Sequence, residues 1–285
     1  MQSRRTFLNA LAGAALAAAL HAYAQNTLTL GLIPAEDPRM IMTEAQPLVE
    51  RLEAALGMDV KPFVATDYNG VIEAMRAKKL DVAFFGPFSY VLAAQVAGAE
   101  AFAIAPLGKG GASFRSIIVA RKDRNIRTLA DLKGRTFAFV DPSSTSGHLF
   151  PKAGLLKAGY DPDTFFGRVI FSGGHDASAI AVQNGKVDAA AIADGLLDVA
   201  IERGAVKKDE VVVVWSSEPI PGAPFAMRRD LPPEVKKRIV AAFAELKDVP
   251  WGKQVMPRLE PVSDSAYDVV RDTAKLLNLD LKKMK

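Results

Sequence analysis

The chain runs to 285 residues, 49% of them hydrophobic and 24% charged, with 36 Lys and Arg against 32 Asp and Glu and no cysteine. That is apolar material for one large core or two medium ones, and a formal charge of only +4 without a Lys/Arg run argues against a nucleic-acid partner. The absence of cysteine excludes disulfides, a thiolate metal site and a lipid carried on an N-terminal cysteine.

Residues 1–24 read as an export leader. Ser3-Arg4-Arg5-Thr6-Phe7-Leu8 supplies a charged start, "NALAGAALAAAL" a short apolar run, and Ala22-Tyr23-Ala24 a small-residue cleavage site before Gln25. The paired arginines are twin-arginine-like, with a Sec leader as the other route. No later stretch is long and apolar enough to span a bilayer. A cleaved product without a lipid anchor would diffuse away from a cell with one membrane, so retention in a periplasm is expected.

The mature chain opens with "TLTLGLIP", an alternating strand, followed by helix from about Thr43 to Leu56 and a second strand, "DVKPFVA". "DYNGVIEAMRAKKL" is a helix started by Asp67 and Asn69, "DVAFFGP" a buried strand stopped at Gly86-Pro87, and "FSYVLAAQVA" another helix. Alternating strands and helices predict a parallel sheet covered on both faces. Gly108 to Gly111 breaks the pattern. A second alternating unit then begins at "SFRSIIVAR" and runs through "TFAFVD", "RVIFSG" and "DAAAIAD" to "EVVVVWSS". "EAMRAKKLDVAFFG" and "AVQNGKVDAAAIAD" share one pattern of helix, basic turn and small-residue strand, as two similar α/β lobes would. Stretches near residues 112–120 and 217–227 are the candidate crossings between them. Pro232-Pro233 opens a further helix, and helix is expected to the C-terminus.

Chemistry concentrates at "DPSSTSGHLF", Asp141 to Phe150. A strand ends at Val140 and a helix begins near Gly147, where free backbone N–H groups and the helix dipole favour an anion. Ser144, Thr145 and Ser146 add hydroxyl donors, and the missing lysine excludes a Walker-type loop. The plainer reading is that one serine caps the helix and the rest fill the loop. His175, in "SGGHDAS", follows two glycines at a strand end and could reach the same anion or cap its own helix. His148 reads as packing. Tyr68 precedes a helix where a phenol can point into a cleft, and Phe85 belongs to an aromatic group that is either core or cleft wall.

With these motifs in view, the chain resembles the phosphate/phosphite/phosphonate substrate-binding proteins of ABC importers. The segments that carry the resemblance are "DYNGVIEAMRAKKLDVAFFGPFSYVLA", "RSIIVARKDRNIRTLADLKGRTFAFVDPSSTSG", "SGGHDASAIAVQNGKVDAAA" and "IPGAPFAMRRDLPPEVKKRI". The resemblance implies a two-lobed periplasmic binding protein type II fold with two hinge crossings, each lobe a mixed, mostly parallel sheet flanked by helices. Lobe 1 would be residues 25–112 and 219–285, lobe 2 residues 113–218. It implies phosphoryl oxygens held by Ser144, Thr145 and Ser146 with Gly147, by His175 and by Tyr68, an ABC permease in the inner membrane as partner, and no cofactor or metal. A monomer is expected. A second cleft tyrosine of the family falls on Phe114. Acidic residues that grip an amine in some members fall on Gly195, with Asp194 beside it, and on Ala223, which favours an amine-free oxyanion such as phosphite, a short alkylphosphonate or phosphate. If His175 donates as an imidazolium, affinity should fall as pH rises.

Two other classes compete. An exported hydrolase using a cleft serine lacks a G-x-S-x-G elbow and has only His148 and His175 in the mature chain. A receptor that reports ligand to a membrane kinase would use the same closing lobes.

Overall fold

A computed structural model describes residues 27–106 and 111–283. The leader, its cleavage site and most of the Gly108–Gly111 break lie outside the described residues. Two sheets organise the chain. The first contains β1 (Thr27–Leu32), β2 (Asp59–Val64), β3 (Val82–Phe84), β4 (Ala99–Ile104), β12 (Pro224–Arg228) and the two-residue β15 (Glu260–Pro261), in the order β15-β4-β12-β3-β1-β2. The second contains β6 (Ser116–Arg121), β7 (Thr136–Phe139), β8 (Arg168–Phe171), β9 (Ala189–Ala193) and β10 (Val211–Ser216), in the order β10-β6-β9-β7-β8. Between them β5 (Ser113–Phe114) pairs antiparallel with β11 (Ile220–Pro221), Ile220 opposite Phe114.

Both sheets are mixed, with a smaller parallel share than the sequence pattern suggests. β1 runs parallel to β2 and β3, and β7 to β8 and β9. The strands that enter from the other lobe run against their neighbours: β12 is antiparallel to β3 and β4, and β6 to β9 and β10. A chain that leaves a lobe and comes back meets the sheet from the opposite end, and this reverses the local pairing.

Each sheet is covered on both faces. In the first lobe Leu28, Leu30 and Leu32 point into one core with Leu48, Leu52 and Phe243, while Ile33, Val71, Ile72 and Phe88 belong to the core on the other face. In the second, Ala190 and Ile192 of β9 face one core and Ala189 and Ala191 the other. The helices are α1 (Pro38–Glu44), α2 (Gln46–Leu56), α3 (Tyr68–Arg76), α4 (Pro87–Ala97), α5 (Phe150–Lys157), α6 (His175–Gln183), α7 (Asp194–Glu202), α8 (Pro233–Glu245) and α9 (Asp268–Leu276). Asp37 opens α1 by accepting from the Arg39 N–H, Pro38 takes its first position, and Gly57 and Gly98 end α2 and α4 in left-handed conformations.

The C-terminal expectation is corrected. Instead of continuous helix, residues 249–256 form a hairpin of β13 (Val249–Trp251) and β14 (Gln254–Met256), and β15 adds an edge strand before α9. Pro250 and Gly252, the latter at φ 59°, favour the turn over a helix.

Candidate functional site

The Ser144–Gly147 stretch lies where β7 ends. Val140 and Asp141 carry the chain out of the sheet, and Asp141 Oδ1 accepts the Ser143 N–H at 2.7 Å. A single turn of π-helix follows, Thr145–Leu149, in which the Leu149 N–H reaches the Ser144 carbonyl at 3.0 Å, and α5 continues from it. Such turns concentrate at functional sites. Ser144 is the N-cap, its Oγ accepting from the Gly147 N–H at 3.1 Å, so the capping reading holds for this serine. The same hydroxyl is hydrogen-bonded to the phenol of Tyr68 in the opposite lobe. Thr145 Oγ1 accepts the Phe88 N–H, from the first turn of α4, at 2.8 Å. Ser146 O is held by the buried Ser116 Oγ of β6 at 2.7 Å. Ser146 Oγ and the N–H groups of Thr145 and Ser146 take no protein partner among the described residues. These free donors gather at a helix start.

His175 opens α6. Its backbone N–H donates to Ala35 O in the other lobe at 2.8 Å. The Ala193 N–H points at its Nδ1 from 3.2 Å, which requires a lone pair there and so places the proton on Nε2. Burial pushes the imidazole down to about 3. The imidazolium expectation is therefore corrected: His175 presents a neutral Nε2–H donor.

Tyr68, Ser144, Thr145, Ser146, His175 and Phe114 all line one cavity of about 170 Å³ between the lobes. Burial raises the Tyr68 phenol, which stays protonated and able to donate. Three candidates are placed elsewhere. Gly147 gives its N–H to Ser144, and its missing side chain is required by packing, since a Cβ would stand 2.4 Å from Val140 Cγ2. Asp194 Oδ1 turns back to the Gly195 N–H at 2.8 Å, at the start of its own helix and away from the cavity. Phe85 is fully buried in the lobe 1 core. Strand alternation sends its neighbour Phe84 into the cavity wall instead. His148 donates from Nδ1 to Pro142 O at 2.8 Å between Phe139 and Phe171, and burial lowers it to about 4, as packing predicts.

Other contributors carry weak signals in the sequence. Asp141 Oδ2 accepts the Tyr68 N–H at 3.4 Å across the cleft, and Asp176 Oδ2 accepts the Asp37 N–H at 2.9 Å. Arg203, at the end of α7, bonds Glu36 Oε1 at 2.6 Å and also Glu44 in the opposite lobe. Desolvation raises the Glu36 carboxyl while Arg203 opposes it. Trp251, from the unpredicted hairpin, packs edge-on to Phe84 with centroids 5.9 Å apart. The two lobes thus meet around the cavity through hydrogen bonds and ion pairs, two of them, from Tyr68 and from the Phe88 N–H, made with the Ser144–Ser146 turn itself.

The family model described as "ABC transporter, phosphonate, periplasmic substrate-binding protein" matches residues 30–267. The chain belongs to this family. The phosphate-import protein PhnD of Mycolicibacterium smegmatis is 38% identical over 86% of this chain and 84% of its own length. The phosphonates-binding periplasmic protein of Escherichia coli is 32% identical over 82% of this chain and 70% of its own. Among solved structures, the binding-protein component of an ABC phosphonate transporter from Pseudomonas aeruginosa superposes with a TM-score of 0.77 at 28% identity, covering 87% of this chain and 85% of that one. The fold is the two-lobed type II fold of periplasmic binding proteins. As a phosphonate-family substrate-binding protein, the chain is the ligand-capturing component of an ABC importer rather than a kinase-linked receptor.

Proposed function

We propose that the cleft captures the oxyanion of a phosphonate, phosphite or phosphate, and that Ser146 Oγ, Thr145 Oγ1, the Thr145 and Ser146 N–H groups, His175 Nε2–H and the Tyr68 phenol hold it. The observation that carries this reading is the set of unpaired donors at the start of the Thr145–Leu149 turn, facing a cavity that both lobes line. Charge-assisted hydrogen bonds contribute roughly 1.5–3 kcal/mol each. Four to six of them support micromolar binding, about 8 kcal/mol, after closure and desolvation are subtracted. The relatives' names support the ligand class: the mycobacterial one names phosphate, the E. coli one phosphonates.

The sheet membership supports a division into lobe 1, residues 25–112 and 219–285, and lobe 2, residues 113–218, hinged at β5 and β11. In this reading the closed lobes are what an ABC permease in the inner membrane recognises, the protein works as a periplasmic monomer freed by cleavage after Ala24, and the ligand is released chemically unchanged. No helix among the described residues is long and apolar enough to cross a membrane.

A thermal-shift panel of phosphate, phosphite, hypophosphite, methylphosphonate and 2-aminoethylphosphonate tests the assignment, because a binder raises the melting point by mass action. Silence across the whole panel would remove the oxyanion reading. Recovery of the bound compound intact, by phosphorus NMR, separates capture from hydrolysis.

A further inference from the structure

The cavity is larger than the group its donors can hold. A tetrahedral phosphonate head has five heavy atoms. At about 10–15 Å³ for each water-sized atom it takes about 50–75 Å³, well under the cavity's about 170 Å³. The wall of the space left over is mainly apolar. Ile41, Phe84, Ala223, Leu196, Val199 and Trp251 contribute to its wall. Phe84 is fixed by Phe225 on one side, centroids 4.8 Å apart, and by Trp251 on the other.

Four charged side chains border this space: Glu36, Glu44, Arg203 and the exposed Lys253. Glu36 and Glu44 share the Arg203 guanidinium across the lobes. Gly195 and Ala223 line the cavity without a carboxylate, and a Cβ at Gly195 would meet nothing within 4 Å, so that wall is open. An ammonium group entering here would lose its water beside the cations Arg203 and Lys253 and would meet only carboxylates that already hold a guanidinium, whereas a hydrocarbon group would lose nothing.

We propose that this cleft selects organophosphonates with an uncharged apolar substituent of two or more carbons over inorganic oxyanions and over aminoalkylphosphonates. The proposal rests on the reading that the Ser144–Ser146 turn holds the phosphonate head. Phe84 and Trp251 are then its specificity-determining side chains, and the substituent lies between α1, α7 and the 249–256 hairpin.

The decisive comparison uses methyl-, ethyl-, propyl- and 2-aminoethylphosphonate with phosphate, titrated calorimetrically into the mature protein. Propyl- and 2-aminoethylphosphonate have the same number of heavy atoms and differ in charge at the end. Affinity should rise about fourfold per added methylene from methyl to propyl, and propylphosphonate should bind at least tenfold tighter than its amino counterpart. Gly195→Glu should reverse the order of that pair, because it places a carboxylate in the open wall. Trp251→Ala should flatten the rise from methyl to propyl. Methylphosphonate as the tightest ligand, or 2-aminoethylphosphonate equal to propylphosphonate, would overturn the proposal while leaving the oxyanion site intact. Failure of every compound to bind would overturn the oxyanion reading and this proposal together.

Discussion

The Ala193 N–H and His175 Nδ1 stand 3.2 Å apart, at the end of β9 and the start of α6. A proton on Nδ1 would face that N–H directly, so the bond and the burial of the ring act in the same direction and keep the imidazole neutral. Its Nε2–H is then a donor whatever the ambient pH. Methylphosphonate affinity should consequently not fall as pH rises from 5 to 8, and it should rise if the dianion is the species bound. Titrations at four pH values check this, and a fall with rising pH would return the imidazolium. His175→Ala removes the donor and should weaken binding about tenfold to a hundredfold, the range of one hydrogen bond to a charged group.

The hydroxyls of the turn divide by what they already do. Ser144 caps the turn and meets Tyr68, and Thr145 takes the Phe88 N–H, so changing either one disturbs the closed lobes as well as the ligand. Ser146 Oγ has no such duty. Ser146→Ala should cost at least tenfold in affinity with the melting temperature of the ligand-free protein unchanged. The Ser144→Ala, Thr145→Ala pair should cost at least as much in affinity and also lower that melting temperature. Calorimetry beside a thermal scan separates the two, and equal affinities for wild type and Ser146→Ala would exclude this hydroxyl from the site.

The alternation of strand and helix along residues 27–246 is legible because both sheets are buried on both faces, which makes each strand a short apolar run between amphipathic helices. The anion turn is legible because three adjacent hydroxyls stand out from the apolar pattern around them. What escapes is whatever depends on contacts between distant segments. Glu36 and Arg203 look like ordinary surface charges until the lobes meet. Trp251 sits in "DVPWGKQVM", where Pro250 and Gly252 mark a hairpin that the preceding helical pattern obscures. Phe84, the last residue of β3, and Phe85, just beyond it, are indistinguishable by composition and are separated only by the side of the sheet toward which each turns. Gly147 carries a similar lesson. Its position in the motif suggests a ligand contact, but its lack of a side chain answers the approach of Val140. Gly147→Ala should destabilise the fold by about 1–3 kcal/mol through overpacking, read as a lower denaturant midpoint with the slope unchanged.

Two buried histidines give stability a definite slope with pH. Burial holds His175 at about 3 and His148 at about 4 in the folded chain, against an ordinary 6.5. Between those values the unfolded chain binds more protons than the folded one, so stability is full above about pH 6.5 and declines as pH falls toward the folded values. Glu36 and Asp141, both raised by burial, act with the opposite sign just above the ordinary carboxyl range, which leaves pH 5 to 6.5 as the cleaner window. There each histidine contributes at most about 1.4 kcal/mol per pH unit. Urea midpoints across this window should fall on acidification, and His148→Gln should make the fall shallower. An identical slope in the variant would mean that His148 is charged in the folded protein.

Arg203 joins α7 to Glu36 and Glu44 across the cleft, with all three side chains largely shielded: 17%, 10% and 14% exposed, respectively. Arg203→Met would leave two carboxylates side by side with their partner gone. Breaking a fully buried pair costs about 3–5 kcal/mol, and some water access here reduces that to about 1–3 kcal/mol. The loss falls on the closed arrangement alone, since the acids regain solvent when the lobes part. Affinity should therefore drop about tenfold to a hundredfold, and by the same factor for phosphate, methylphosphonate and propylphosphonate. Adding Glu36→Gln and Glu44→Gln to Arg203→Met should recover most of it. Calorimetry with the three ligands is the check, supported by small-angle scattering of the saturated variants. A loss that differs from ligand to ligand would show that the guanidinium touches the ligand instead of latching the lobes.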